Sequence, residues 1–332
     1  MSQIWLVVRQ EFRIRLRTGR WRWLIGAWVA LLAVFTVLLD LGLETGYGYD
    51  RDDSLRGVPL FGFLMFFILG MMLVISPALT SQTINGDRER GTLATLQVTR
   101  LRPVEIAVGK LFAGWGIGLL ALALSLPFTL YAMSRGGITA VRVLATYAVV
   151  AVLIGVVCAV SQALSALLAR SITSALLSYV TVAALSIGTL IAFSLILPFT
   201  RETITVNPPQ GPTFQTEVAH QERIWWLMAP NPFVVLADSA PRVPRHVDVR
   251  GDVVYVDDYD PLSSIGNEVR RLRHAPQVYF SYDGTVPPEP ENLPVWPYGL
   301  GFNVLLGIAA VTLTTYRLRT PTNKLARGVR VA

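Results

Sequence analysis

Residues 60–79 read LFGFLMFFILGMMLVISPAL, twenty positions with no Asp, Glu, Lys or Arg among them. A helix rises about 1.5 Å per residue, so roughly 20 apolar residues cross the hydrocarbon core of a bilayer. Five more stretches meet that standard on either side of this one: Trp23–Leu39, Leu111–Met133, Leu144–Leu168, Ala175–Leu197 and Trp296–Tyr316. None has one of the four charged residue types in its interior. The 332 residues are 52% hydrophobic and only 15% charged, with mean hydropathy +0.49. Soluble domains carry about 25% charge, so the composition excludes a fold solvated by water throughout, and equally a disordered, collagen-like or coiled-coil chain. A single cysteine, Cys158, leaves no internal disulfide framework and no CxxC metal site. The reading is an all-α polytopic membrane protein with six transmembrane helices.

The chain divides into an amphipathic interfacial helix over 1–22 and five transmembrane helices over 23–199, which include a loop at 81–110. A polar insert over 200–295, a sixth helix over 296–316 and a basic tail over 317–332 follow. Short loops carry the orientation signal. Six arginines precede the first span, five cations (Arg88, Arg90, Arg100, Arg102, Lys110) lie between spans two and three, and five more follow span six. Asp40–Pro59 has five acids against two arginines. Both termini are therefore expected in the cytoplasm and the insert outside, in the plasma membrane of a bacterium. Arg135 and Arg142, on the outer side, run against this pattern.

The N-terminus is no cleavable signal peptide, because acids follow its apolar run and more spans come after. At about 100° per residue, Trp5, Val8, Phe12 and Leu16 form one row and Arg9, Arg13, Arg17 and Arg20 the next. That pairing predicts a helix lying on an anionic leaflet, with membrane lipids as its partner.

Ion- or proton-coupled transport needs ionisable groups at membrane depth. These spans offer hydroxyls and amides instead, among them Ser125, Ser161, Gln162, Ser165, Ser178, Thr181 and Ser186. Such groups glue helices together. The nearest approach to a P-loop, Val104–Leu111, lacks the first glycine and the final Ser or Thr, so no phosphate cradle forms. No catalytic residue and no cofactor is expected on this chain, and energy has to come from a partner. The basic residues follow membrane topology rather than an aromatic-lined groove, which argues against nucleic acid as a partner.

The loop long enough to receive a partner is Ser81–Lys110. Asn85 and Asp87 can accept hydrogen bonds from free helix-start amides. Leu93 and Leu96 lie four and seven residues beyond Glu89, a short helix with a small apolar face, and Gly91 allows close approach within it. Pro103 suits the first turn of the helix that becomes span three. A short charged helix with an apolar seam between two spans is a docking device; a solvated charged turn is the plainer alternative.

These residues resemble a known family. The stretch INGDRERGTLATLQVTRLRPVEIAVGKLFAG, residues 84–114, is similar to the signature of ABC-2-type transporter permeases, the membrane subunits of type V ABC transporters, whose inner loop commonly reads ERE-x-GTL-x-x-L followed by a turn and GK. The matching positions are Asp87, Arg88, Glu89, Arg90, Gly91, Thr92, Leu93 and Leu96, then Gly109 and Lys110. Asp87 replaces the more usual glutamate, and Arg100 stands where proline is frequent. The resemblance extends to the layout of an interfacial helix, six spans and an insert before the last. It implies that residues 87–97 form a coupling helix seated on an ATP-hydrolysing subunit that holds ATP and Mg. It also implies a second permease subunit, identical or paralogous. Glu89 and Arg90 would pair with charges on the ATPase, Leu93 and Leu96 would fill its groove, and Gly91 would permit the close fit.

In the insert, His246–Val249 and Val253–Val256 flank Arg250-Gly251-Asp252 and read as a hairpin, the tripeptide being its turn. Ser264 is a candidate cap for a helix over Ile265–His274. Asp257-Asp258-Tyr259-Asp260 lacks EF-hand spacing, and His220, His246 and His274 are too far apart to argue for a metal. Glu222–Met228 reads as an aromatic segment resting on the membrane surface, like Trp296 and Tyr298. The expected function is the permease of an ATP-driven exporter, its uncharged spans suiting an apolar or amphiphilic cargo. The alternatives are an intramembrane enzyme acting on lipid-linked substrates, which could recruit Asp40, Asp50, Asp52 and Asp53, and a non-transporting sensor or scaffold.

Overall fold

The computed structural model describes residues 4, 5, 7–9, 11, 20–46, 55–92, 101–206, 213–247, 253–255, 260–275 and 293–319. Six helical stretches in it are long and apolar enough to cross a membrane: Trp23–Thr45, Gly57–Glu89, Pro103–Ser134, Ala140–Leu167, Ser171–Thr200 and Trp296–Arg317. The chain forms two compact units, Met1–Val182 with Asn303–Ala332, and Ala183–Phe302.

The first unit contains α1 (Arg20–Gly46), α2 (Gly57–Thr80), α3 (Asn85–Glu89), α4 (Pro103–Ala123), α5 (Leu126–Ser134), α6 (Ala140–Leu167) and most of α7 (Ser171–Ala183). Its centre is α2, whose residues Phe61, Leu64, Met65, Ile68, Leu69 and Met72 are wholly buried. They pack against α1, α4, α5 and α6. The third span starts at Pro103 rather than Leu111, because Arg102 and Glu105 close a capping box there, with the Arg102 amide donating to Glu105 Oε2 at 2.7 Å. It then breaks at Leu124–Ser125, where Pro127 has no amide to return to the fourth residue before it. Side chains from other spans satisfy the broken turn. Trp28 Nε1 donates to the Ala121 carbonyl at 2.9 Å, and the Ser125 and Thr129 hydroxyls lie 2.8 and 3.0 Å from Tyr147 OH.

At the end of this unit away from the 81–102 loop, Asp40 is buried. It accepts from Arg135 at 2.6 Å and Tyr131 OH at 2.7 Å, and its backbone carbonyl accepts from Arg56 at 2.9 Å. Arg142 is 1% exposed beneath Phe61, its guanidinium 5.9 Å from the ring. Of the two arginines that run against the charge pattern, Arg142 is buried and Arg135, partly exposed, is paired with Asp40.

The second unit contains the rest of the fifth span, a π-helical turn at Ala184–Gly188 followed by α8 (Thr189–Ile196), and then the insert: β1 (Arg201–Val206), β2 (Phe214–Ala219), α9 (Pro232–Ser239), β3 (Pro244–Val247), β4 (Val253–Tyr255) and α10 (Pro261–Arg271), before the start of α11 (Trp296–Arg317), whose residues from Asn303 on belong to the first unit. The insert is a small α/β element, as its sequence suggests. The pairing of β3 with β4 is antiparallel, as the alternation predicts, and the Arg250-Gly251-Asp252 turn lies outside the described residues. A second antiparallel pair, β1 with β2, has no counterpart in the sequence reading. Arg223 donates to Glu202 of β1 and holds that exposed carboxyl below the ordinary carboxylate range.

Asp260, not Ser264, caps α10: its carboxylate accepts from the Leu262 amide at 3.2 Å and Pro261 takes the first helical position. Asn231, 1% exposed, caps α9 and also donates to the Ser186 carbonyl at 2.6 Å and Thr189 Oγ1 at 2.8 Å. It thereby fills the widened turn of the fifth span. Asp238, 2% exposed, joins three elements. It pairs with Arg270 of α10 and accepts from the Val295 and Trp296 amides, both at 2.6 Å, at the start of α11.

Candidate functional site at the loop between spans two and three

The second and third spans are the longest that flank a loop, 33 residues from Gly57 to Glu89 and 32 from Pro103 to Ser134. Roughly 20 suffice for hydrocarbon. The surplus polar turns at the loop end form a small packed knob. Its apolar floor is Ile84, Ile106, Ala107, Ala166 and Leu318, with Leu101 against it.

Free amides open α3, and a distant residue takes them. The Ile84 and Asn85 amides donate to Ser165 Oγ of α6 at 3.2 and 3.1 Å. Asn85 and Asp87, expected to do this, face other partners: Asn85 Oδ1 accepts from Arg88 at 3.0 Å, and Arg88 also donates to the Leu168 carbonyl at 3.1 Å. Ser174 donates to the Ser81 carbonyl at 2.8 Å, Ser171 donates to Glu89, and Gln162 donates to the Ala107 carbonyl at 2.8 Å. The hydroxyls and amides of spans four and five therefore bind backbone and loop, the gluing role that membrane interiors assign them.

At the centre lies a charge cluster. Lys110 is 2% exposed, with Nζ 2.5 Å from Asp87 Oδ2 and 2.6 Å from Glu11 Oε1; Arg90 lies 3.0 Å from Asp87 Oδ1. Among the described residues, Lys110 and Arg90 offset Asp87 and Glu11; pairing of this kind is the condition under which buried charge is tolerated. Next to it Gly109 lies under the N-terminal helical residues: a Cβ there would come within 2.8 Å of Val7 Cβ and 3.5 Å of the Ile4 carbonyl. Gly109 admits the N-terminal segment and Lys110 ties it down.

The helix expected over 87–97 is interrupted at Arg90–Gly91, and Thr92 is helical again. The helix closes at Glu89, and Gly91 has φ +68°, a left-handed conformation that ends a helix. A Cβ at Gly91 would have nothing within 4 Å among the described residues, so within this chain it is the backbone conformation that calls for glycine. Asp87 is buried, Arg88 half-buried, and Glu89, Arg90, Gly91 and Thr92 are exposed. Leu93 and Leu96 lie outside the described residues, as do Phe12, Arg13 and Arg17. Of the N-terminal row, Val7 and Val8 are buried while Trp5 is 52% exposed and Arg9 is exposed. Left-handed geometry costs a β-branched residue about 1–2 kcal/mol. Gly91→Val is therefore expected to destabilise the protein by that amount, read as a lower thermal midpoint in detergent, and Gly91→Asn by less, with equal midpoints contradicting the assignment.

Among the described residues, no group of three or more His, Cys, Asp or Glu is placed to hold a metal ion. Asp40 is engaged by arginines and a tyrosine, and Asp50, Asp52 and Asp53 lie outside the described residues.

A family model described as ABC-2 family transporter protein matches residues 51–314, from the start of span two almost to the end of span six. The chain belongs to that family. It is a multi-pass membrane permease of an ABC transporter, a transport subunit rather than an enzyme, and membership implies association with an ABC ATPase subunit. No curated protein matches it. In this ABC-2 chain the matched region contains the loop motif and the Gly109-Lys110 pair, whose structural roles are now apparent. Sequence reasoning missed Glu11 and Ser171 and named Ser165 only as a hydroxyl that glues helices; the loop motif had singled out Asp87, Arg90 and Lys110.

Proposed function

We propose that this permease is half of an exporter for an apolar or amphiphilic cargo, driven by a separate ATPase subunit that binds ATP and Mg and docks on the 87–97 segment. Both termini and the 81–110 loop lie in the bacterial cytoplasm, and the insert lies outside. The observation that carries the reading is the exposed tip Glu89–Thr92 mounted on buried, balanced charges. A docking element must be exposed and must not yield when pushed. Glu89, Arg90 and Thr92 meet the ATPase directly, Leu93 and Leu96 enter its groove, and Asp87 and Arg88 hold the tip from within. Gly109 is packed against Val7, and Lys110 is committed to Asp87 and Glu11 rather than to a phosphate. The apolar face of α7, with Ile172 84% and Leu176 61% exposed, is open to a second permease subunit.

Glu89→Arg reverses a charge on the exposed tip. Its expected effect is a loss of about tenfold or more in ATPase co-purification and in coupled ATP hydrolysis, while Glu89→Gln retains most of both. Full coupled hydrolysis with Glu89→Arg overturns the docking assignment.

A further inference from the structure

We propose that Arg273 is a binding site for the phosphate of a phospholipid headgroup, in the leaflet at which α11 begins. Three arginines close α10. Arg270 pairs with Asp238, and Arg271 lies 3.8 Å from Glu268. Arg273 differs: its guanidinium lies over two aromatic rings, 5.0 Å from the Trp225 centroid and 5.5 Å from that of Tyr298, and the rings meet edge to face at 5.4 Å. Its Nη1 donates to the Leu293 and Pro294 carbonyls at 3.0 and 3.2 Å. Among the described residues, no carboxylate pairs with it and no acceptor meets its Nε or Nη2.

Position supplies the ligand. Tyr298 is the third residue of a helix that spans the membrane, and Leu293 and Pro294 immediately precede that helix, so the guanidinium sits at the depth of the headgroups. Trp226, Leu293 and Tyr298 are each more than half exposed, an apolar rim suited to the upper acyl chain and glycerol. Arginine presents a planar fork of N–H donors that matches a phosphate, and the rings and carbonyls have already fixed this one in place. The chemistry is that of a phosphodiester anion with an apolar tail. It requires only that Trp296–Arg317 crosses the bilayer, and is independent of cargo, partner and direction of transport.

The test uses the full chain, purified in detergent and stripped of lipid, with native mass spectrometry reading bound lipid. The probes are dioleoyl phosphatidylglycerol, dioleoylglycerol with the same chains and no phosphate, and inorganic phosphate as competitor. The wild-type protein is expected to hold phosphatidylglycerol but not dioleoylglycerol, and inorganic phosphate should not displace it. Arg273→Gln should weaken binding by about tenfold or more, Arg273→Lys by less, and Arg271→Gln should leave it unchanged. If Arg273→Gln does not fold, Arg273→Lys decides, since it keeps the charge and loses the fork. Unchanged binding in the folded variant, or equal binding of dioleoylglycerol, overturns the phosphate site. Displacement by inorganic phosphate overturns its assignment to a lipid.

Discussion

Lys110→Met is expected to destabilise the protein by about 3–5 kcal/mol, the cost of removing one partner from a buried ion pair. Lys110 is 2% exposed and lies within 2.6 Å of a carboxylate oxygen on each of Asp87 and Glu11. Without it, Asp87 and Glu11 lose the cation that both contact, and either water must enter or a proton must bind. Methionine fills most of the volume, so the loss is electrostatic rather than a cavity effect. The check is reciprocal: the triple variant Glu11→Gln, Asp87→Asn, Lys110→Met should recover most of the thermal midpoint, because it removes the charges together. A single variant as stable as wild type, or a triple variant worse than the single, would show that these contacts do not hold the loop.

Asp238→Ala is the second large effect, again about 3–5 kcal/mol, and it should be confined to the second unit. One carboxylate serves the Arg270 guanidinium and two amides at the head of α11. Alanine leaves a part-buried cation and bare amides. Limited trypsin digestion is expected to cut around α10 in Asp238→Ala well before it cuts the wild type, with Asp238→Asn intermediate because one acceptor oxygen survives. Identical digestion of wild type and Asp238→Ala would place the stability of the insert elsewhere.

The six spans were legible because length and apolarity are local properties: a run such as 60–79 needs no knowledge of its neighbours. The family signature was legible for the same reason, as a contiguous loop. What the sequence concealed depends on contacts between distant residues. Ser165 lies 80 residues from the Asn85 amide it accepts, and Lys110 lies 99 residues from Glu11. The loop helix breaks inside its expected span because Gly91 takes left-handed geometry after Glu89; Thr92 is helical again, and Leu93 and Leu96 lie outside the described residues. The π-turn in span five carries no proline to mark it. The strands β1 and β2 were missed because their alternation is blurred by threonines and glutamates on a largely exposed ribbon. The partners of Arg135 and Arg142 were hidden for the same reason: one clasps Asp40 and the other lies beneath Phe61.

Asn231 has a consequence for how such proteins diversify. Its amide begins a helix of the insert and at the same time quenches a main-chain oxygen that the loosened coil of span five has set free. In hydrocarbon a bare carbonyl costs several kcal/mol. The insert is therefore no detachable ornament that recombination could trade between relatives at its borders; any viable exchange has to carry the adjoining part of span five along with it.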